Sequence, residues 1–441
     1  MLSLRQPGRA RVSAGRVAEP VERTLTGEPR RPGISTPVFL ALAAYLIVVM
    51  CIWGNLGLSR LLAEWHWLND LHFFRDAARL LYGGQQAILY DPEARANRLF
   101  DIGVSHETFP YPATMALLFL PIQSLGLETG RYIFLALSLA ASLGSVLVAY
   151  RWSGDWRLAV LMALAMASSF TFYETLRFSQ LAPFIGLCSV LALVNLARGK
   201  HNNAGIYVGL LALKPSVALA PMLVLMLLPR WRSALVAALV GLTVGLLIPL
   251  LIVGPEGQLD YLRLVERYGD VAYHLDGKFT AGAAWMLNWH GLVGRLLGED
   301  PPKLPVILLG LVTVMLVVRV WLRRELFSSW LAGALGTLLL VPHAVFYDWV
   351  MLYSIAPVVA YALRSRTLVM LLLLLHLSVS LDSHEIMSLN NLSNSHIFLT
   401  PLVAVALLVS LAPVSIPVTR PPARYFSSML GWSTRQNFSR H

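Results

Sequence analysis

The chain has 441 residues, 56% of them hydrophobic and only 13% charged, with a mean hydropathy of +0.63. A soluble globular domain carries charge on roughly a quarter of its residues, so half that fraction leaves too little polar surface to wrap a water-soluble core of this size. The net charge of +11 does not mark a nucleic-acid-binding protein, because the basic residues sit in short loops and at both ends of the chain, where the positive-inside bias places them.

In chain order, residues 1–36 hold seven Arg against three Glu and lack an apolar core, so they read as a disordered basic cytoplasmic tail and not as a cleaved signal peptide. The first span is expected at 37–57 and is followed by a polar-to-mixed stretch, 58–111, with five Arg and seven acids. Further spans are expected at 130–150, 157–173 and 180–197, then a broken apolar stretch at 204–228, then 233–252. After a second large loop come 304–321, 327–341, 348–362, 367–381 and 397–413. Each block suits a crossing of roughly 30 Å of hydrocarbon. Cys51 and Cys188 lie inside apolar blocks, which argues against a disulfide or a metal site.

Connector charge orders these spans. The loops around Arg151/Arg157, Arg198/Lys200, Arg230/Arg232, Arg319/Arg323/Arg324 and Arg364/Arg366, with both termini, should be cytoplasmic. Alternation then requires 204–228 to form two short helices meeting at Lys214, and 113–126 to be interfacial or re-entrant. The expected protein is an all-α polytopic membrane protein of about 12 transmembrane helices. Its multi-span domain covers 37–413, with a first extracytoplasmic loop at 58–129 bearing interfacial helices and a second at 254–303. The basic tail, 414–441, belongs on the inner leaflet.

The unusual polar residues crowd the face opposite the basic loops. In the first loop, helical spacing puts Asp70, Phe73, Phe74, Ala77 and Leu81 on one face, with Gly83-Gly84 as the stop. A carboxylate on that apolar stripe either faces a protein cavity or caps the helix N-terminus. Phe109-Pro110-Tyr111-Pro112 holds the chain extended before the short apolar piece. Arg177 and Gln180 stand where a span begins. Lys214-Pro215 breaks a hydrophobic hairpin, and this Lys either lines a pathway, binds an anion or snorkels to the interface. His343 and Asp348 flank a turn, as a hydrogen-bonded pair or as separate helix caps.

Taken in order, the motifs are an Asp-aromatic helix ending in Gly and Tyr-Asp, then Tyr-Pro, a Gln opening a span, Gly-x-x-x-Leu-Lys-Pro, and Pro-His-x-x-x-Tyr-Asp. This pattern resembles the bacterial polyprenol-phosphate-sugar-dependent glycosyltransferases of family 87, which have the multi-span C-type glycosyltransferase fold. The resemblance runs from about residue 37 to about residue 360, and Gly205 to Pro215 is its most specific part. It implies transfer of a hexose, typically mannose, from a lipid-phosphate carrier to a lipid or glycan acceptor at the outer face of the bacterial inner membrane. It also implies Asp70 as the base, with Lys214 and His343 near the donor phosphate. Arg177, Gln180, Tyr111, Tyr347 and Asp348 join them as candidate substrate-binding residues. Two positions depart from the pattern: Ala113 replaces the second proline after Tyr-Pro, and Ser179 replaces the glycine before Gln.

The residue types suit that chemistry. A positioned carboxylate takes the proton of an attacking hydroxyl, and cations stabilise a departing phosphate. Direct attack with one base inverts the anomeric centre. Asp76, in the same helix on a different face, is the rival base. The loops contain no Asp-x-Asp motif for a nucleotide-sugar metal, so no cofactor is expected, while a divalent-metal requirement stays open. The partners expected are the lipid-linked donor, the acceptor and membrane lipids, with no nucleic acid. Two other readings are a secondary transporter and a non-catalytic lipid-binding protein. Against the transporter stand the absence of an internal repeat and the crowding of polar residues on one face. The lipid-binding protein would tolerate loss of Asp70.

Overall fold

The computed structural model describes residues 33–63, 70–91, 109, 111–214, 217, 221–225, 232–274, 286–297, 303–341, 344–388 and 399–412. His343 and nearly all of both basic tails lie outside the described residues. The fold below belongs to one unit, Ile34–His441.

The described residues are all-helical in class, with helices joined by turns and one backbone bridge between Met286 and Val345. In lipid every backbone N–H and C=O must find a partner within its own segment, and a helix meets that demand. Among the described residues, six helices are long and apolar enough to cross a membrane, and seven if one bent pair counts as a span. The protein is therefore a multi-pass membrane protein.

Helix α1 (Thr36–Ala63) passes through a π-turn at Met50–Gly54. Helix α2 (Leu71–Tyr82) follows, then the short helices α3 (Ala113–Leu118) and α4 (Leu120–Gln123). At 6 and 4 residues these two cannot cross a bilayer, so 113–126 contributes no full span. Helix α5 (Leu127–Ser153) is a long span.

The apolar block 157–173 is not the straight span its composition predicts. It is two helices, α6 (Trp156–Ala167) and α7 (Phe170–Arg177), bent by 67°. The cause is Ser168-Ser169: Ser169 Oγ accepts from the Phe172 N–H at 3.2 Å and so starts a new helix. Helix α8 (Ala182–Ala197) packs against both α5 and α9 (His201–Leu210).

Helix α9 gives way to a 3₁₀ turn at Leu211–Leu213, and Lys214 leaves the helix with φ −128° and ψ 85°. A following proline forbids the helical conformation at the residue before it, which is why the hairpin breaks here. Two glycines fix where that break sits. A Cβ on Gly205 would overlap the Ala234 carbonyl, and one on Gly209 would lie 3.0 Å from the Gly241 Cα. Helix α9 therefore lies backbone to backbone on α10 (Arg232–His274), which holds Lys214 at a set height. Helix α10 breaks at Gly254, with φ +72°, and then stays helical, so the second large loop opens as a helix.

The remaining elements are α11 (Trp289–Leu297), α12 (Lys303–Trp321), α13 (Leu326–Leu340), a 3₁₀ turn at Phe346–Met351 leading into α14 (Leu352–Leu363), α15 (Arg366–Ser388) and α16 (Thr400–Leu411). The 346–351 turn packs on both α7 and α8, bringing distant parts of the chain to one junction.

Candidate active site

The junction is built from local rules. Helix α7 ends in a Schellman turn: the Gln180 N–H donates to the Thr175 carbonyl at 3.0 Å and the Ser179 N–H to the Leu176 carbonyl at 3.1 Å. Such a turn needs a left-handed residue, and Ser179 supplies it at φ 54°. Glycine takes that conformation without strain, which explains physically why the family pattern carries glycine here. The turn aims Gln180, itself 1% exposed, at the start of α2.

Asp70 occupies the N-cap position of α2, yet its side chain makes no capping bond. Of the two readings its position allowed, the cap is thereby excluded. Its backbone N–H donates to the Phe178 carbonyl at 3.0 Å, tying α2 to the turn, and Gln180 Nε2 donates to its carboxylate.

Lys214 Nζ makes an ion pair with Asp348, a contact across 134 residues of sequence. Asp348 is held in turn by its own 3₁₀ turn. Its second carboxylate oxygen accepts from the Val345 N–H at 3.2 Å, and its N–H donates to the Val345 carbonyl at 2.9 Å. The Lys214 ammonium also lies 5.8 Å from the centre of the Tyr347 ring, and that ring is 6.3 Å from Phe178. Asp70, Gln180, Lys214, Tyr347 and Asp348 thus meet at one place.

The groups feel one another electrostatically. Burial pushes the Asp70 carboxyl up to about 6, against the lowering effects of the Gln180 hydrogen bond and the Lys214 charge, while Asp348 adds a smaller rise. A carboxylate held near neutral pH can both take a proton and give it up, which is what a general base requires.

The other candidates are placed differently. Arg177 is buried and engaged by Glu174: its Nε donates to Oε2 at 2.9 Å and its Nη2 to the same oxygen at 2.5 Å. Arg60 from α1 reaches the other oxygen of Glu174 at 3.4 Å, and the Arg177 guanidinium stacks 4.4 Å from the Phe178 ring. Arg177 therefore braces the turn that carries Gln180. Glu174, absent from the sequence-based candidates, stands three residues before Arg177, a spacing that places two helical side chains together.

Tyr111 joins an aromatic cluster, 4.9 Å from Phe74 and 5.8 Å from Phe109, and its carbonyl accepts from the Tyr90 hydroxyl at 3.0 Å. Phe74 is one turn beyond Asp70, so Tyr111 supports α2 from behind. Asp76 is 1% exposed and faces Arg75 on another side of α2. His343 lies outside the described residues. Among the described residues, no three His, Cys, Asp or Glu side chains stand together as metal ligands would.

This fold and this junction define a polytopic helical membrane protein with one polar, carboxylate-bearing site where α2, the α7–α8 turn, Lys214 and the 346–351 turn converge. The model of glycosyltransferase family 87 matches residues 109–342, just over half of the chain, and the chain belongs to that family of glycosyltransferases. Tyr111, Arg177, Gln180 and Lys214 fall inside the matched segment, Asp70 precedes it, and His343, Tyr347 and Asp348 follow directly after it. No curated protein and no solved structure matches the chain.

Proposed function

We propose that this glycosyltransferase moves a sugar, mannose in the first instance, from a polyprenyl-phosphate carrier to a lipid or glycan acceptor, with inversion and with Asp70 as general base. In this reading the chain forms a C-type glycosyltransferase bundle of about 12 crossings in a bacterial inner membrane. Both termini are cytoplasmic and the site lies on the outer face.

The observation that carries the reading is the state of Asp70. Its carboxylate is released from helix capping, oriented by Gln180 and set beside the Lys214–Asp348 pair. The acceptor hydroxyl gives its proton to Asp70 as its oxygen bonds to the anomeric carbon. The bond from that carbon to the phosphate oxygen breaks, and the polyprenyl phosphate leaves with the electron pair. Charge grows on the phosphate as it departs, and Lys214 stabilises it there. Asp348 fixes the lysine in advance, so little reorganisation is needed during the reaction.

The test is transfer of radiolabelled mannose from polyprenyl-phosphate-mannose to membrane acceptors by purified wild type, Asp70→Asn and Asp76→Asn. Labelled product from wild type and Asp76→Asn, with none from Asp70→Asn, is the expected result. Full activity in Asp70→Asn overturns the assignment of the base. Absence of product from every protein and every lipid-linked sugar tried overturns the donor class.

A further inference from the structure

The side of α2 away from Asp70 carries a second cluster that the transfer chemistry above does not use. His72, Arg75 and Arg79 follow the i, i+3, i+7 spacing that lines one face of a helix. Arg131, only 2% exposed, meets them from the first turns of α5. Its Nη2 lies 3.4 Å from His72 Nε2, and its Nη1 donates to Glu128 at 3.2 Å. Arg79 Nε donates to the Gln123 carbonyl of α4 at 3.4 Å.

Two features of this cluster point to a ligand. The Nε atoms of Arg75 and Arg131 are both buried, and neither has a hydrogen-bond partner among the described residues. Among the described residues, these three guanidinium groups meet the carboxylates of Glu128 and Asp76. A buried donor without a partner is costly, more so when it is charged, and an anion would remove that penalty at two arginines together. His72 adds no positive charge, since burial and then Arg131, Arg75 and Arg79 hold it down at about 4.

The position narrows the anion. Arg131 lies one turn inside the 27-residue apolar helix α5, about 6 Å from its start, which is headgroup depth. Exposed tyrosines flank it, Tyr132 on α5 and Tyr82 at the end of α2, as tyrosines do at a membrane–water interface.

We propose that Arg75, Arg79, Arg131 and His72 form a binding site for the phosphate of a membrane lipid headgroup, on the opposite side of α2 from Asp70. Planar guanidinium forks match phosphate oxygens in pairs, and three of them around one group favour a phosphodiester over a neutral sugar headgroup. Free inorganic phosphate offers the same oxygens, so the test separates the two sources.

The purified full chain in detergent is examined by native mass spectrometry with three probes: phosphatidylglycerol, a glucosyl diacylglycerol of the same tail length without phosphate, and inorganic phosphate. Wild type should retain phosphatidylglycerol at least tenfold better than Arg75→Gln/Arg79→Gln, and both should hold the glucosyl lipid equally. Arg75→Lys/Arg79→Lys, which keeps the charge, should fall between the two. Equal retention of phosphatidylglycerol by wild type and the Gln pair overturns the site. Equal loss of both lipids by the Gln pair also overturns it, since that loss would not depend on phosphate. Binding of inorganic phosphate without the phospholipid overturns the lipid assignment. Mannose transfer is measured separately, so a working transferase without selective phospholipid binding removes the site and leaves the reaction standing.

Discussion

The two sides of α2 hold the same kinds of ionisable residue in opposite arrangements. Around Asp70 the charges balance: a carboxylate raised towards neutrality stands beside a lysine that already has its own carboxylate partner. Around His72 they do not, because among the described residues three arginines meet two acids and the histidine is kept uncharged. A balanced cluster with one poised group suits proton transfer, whereas an unbalanced one suits holding an anion. One twelve-residue helix separates the two, so substitutions on its two faces should have different consequences.

The largest expected effect is on the balanced side. Asp70→Asn should lower kcat by about 10²–10⁴-fold, the usual worth of a general base, while Asp76→Asn stays within a few-fold of wild type. The acid limb of kcat/KM for wild type should fall with unit slope below about pH 6, where Asp70 takes up its proton. Stability should run the other way. The folded protein binds a proton at Asp70 between its ordinary value of 3.8 and about 6, where the unfolded chain has released it. The carboxyl's contribution to stability is therefore greatest below about 4 and is lost as pH rises through about 6. Asp70→Asn should melt higher than wild type at pH 8 and at nearly the same temperature at pH 4. A thermal-unfolding series across pH checks this, and equal melting at pH 8 would contradict burial as the cause of the raised carboxyl.

Breaking the Lys214–Asp348 pair should come next. Lys214→Ala leaves a mostly buried carboxylate without its cation, a loss on the order of 2–4 kcal/mol in addition to lost transfer. Lys214→Met/Asp348→Leu removes both charges and should recover much of the stability but none of the activity. A double variant that is as unstable as the single one would mean that the pair does not set the local energetics.

Much of this side of the molecule was legible in the sequence, and the reasons differ by residue. Asp70 stood out because a carboxylate on an apolar stripe is unusual, and Lys214 because a proline breaks an otherwise apolar hairpin. Their partners were not legible. The ion pair spans 134 residues, and no local pattern foretells which carboxylate a lysine will meet. Asp348 was read as a partner for His343 or a helix cap. It caps its own turn and makes an ion pair with Lys214, while His343 lies outside the described residues. For Arg177 the sequence offers a cation for the donor but does not show that a buried Glu174, reached also by Arg60 from another helix, engages its guanidinium. The bend at Ser168-Ser169 was missed because two serines barely lower the hydropathy of a span, although they are good helix starters. The basic stripe on α2 has plain i, i+3, i+7 spacing in the sequence, on the face opposite the apolar stripe.

A smaller effect isolates how Asp70 is tuned. Gln180→Ala removes the hydrogen bond that favours the charged carboxylate, so the acid limb of the pH profile should move to higher pH. Activity at pH 8 should change less than activity at pH 6. Gln180 is a positioning residue, and Gln180→Glu should hurt more than Gln180→Ala by placing a like charge beside the base. A profile that drops uniformly at every pH would show that Gln180 acts by shape alone.

The smallest effect comes from the turn that carries Gln180. Ser179 sits at φ 54°, where a side chain is strained by about 1–2 kcal/mol, while glycine there loses about 0.5–1 kcal/mol through the greater freedom of its unfolded chain. The two terms nearly cancel, and Ser179→Gly should stabilise the protein by no more than about 1 kcal/mol. Ser179→Val should do the reverse and more strongly, since a β-branched residue resists the left-handed conformation and position 179 is buried. The Schellman bonds from Gln180 to Thr175 and from Ser179 to Leu176 depend on that conformation. Ser179→Val should therefore also shift the acid limb of the pH profile as Gln180→Ala does, because Gln180 would no longer be held against Asp70. A lower melting temperature for Ser179→Val with an unmoved pH profile would separate the turn's stability from its aim, leaving Gln180 to be positioned by its own packing ahead of α8.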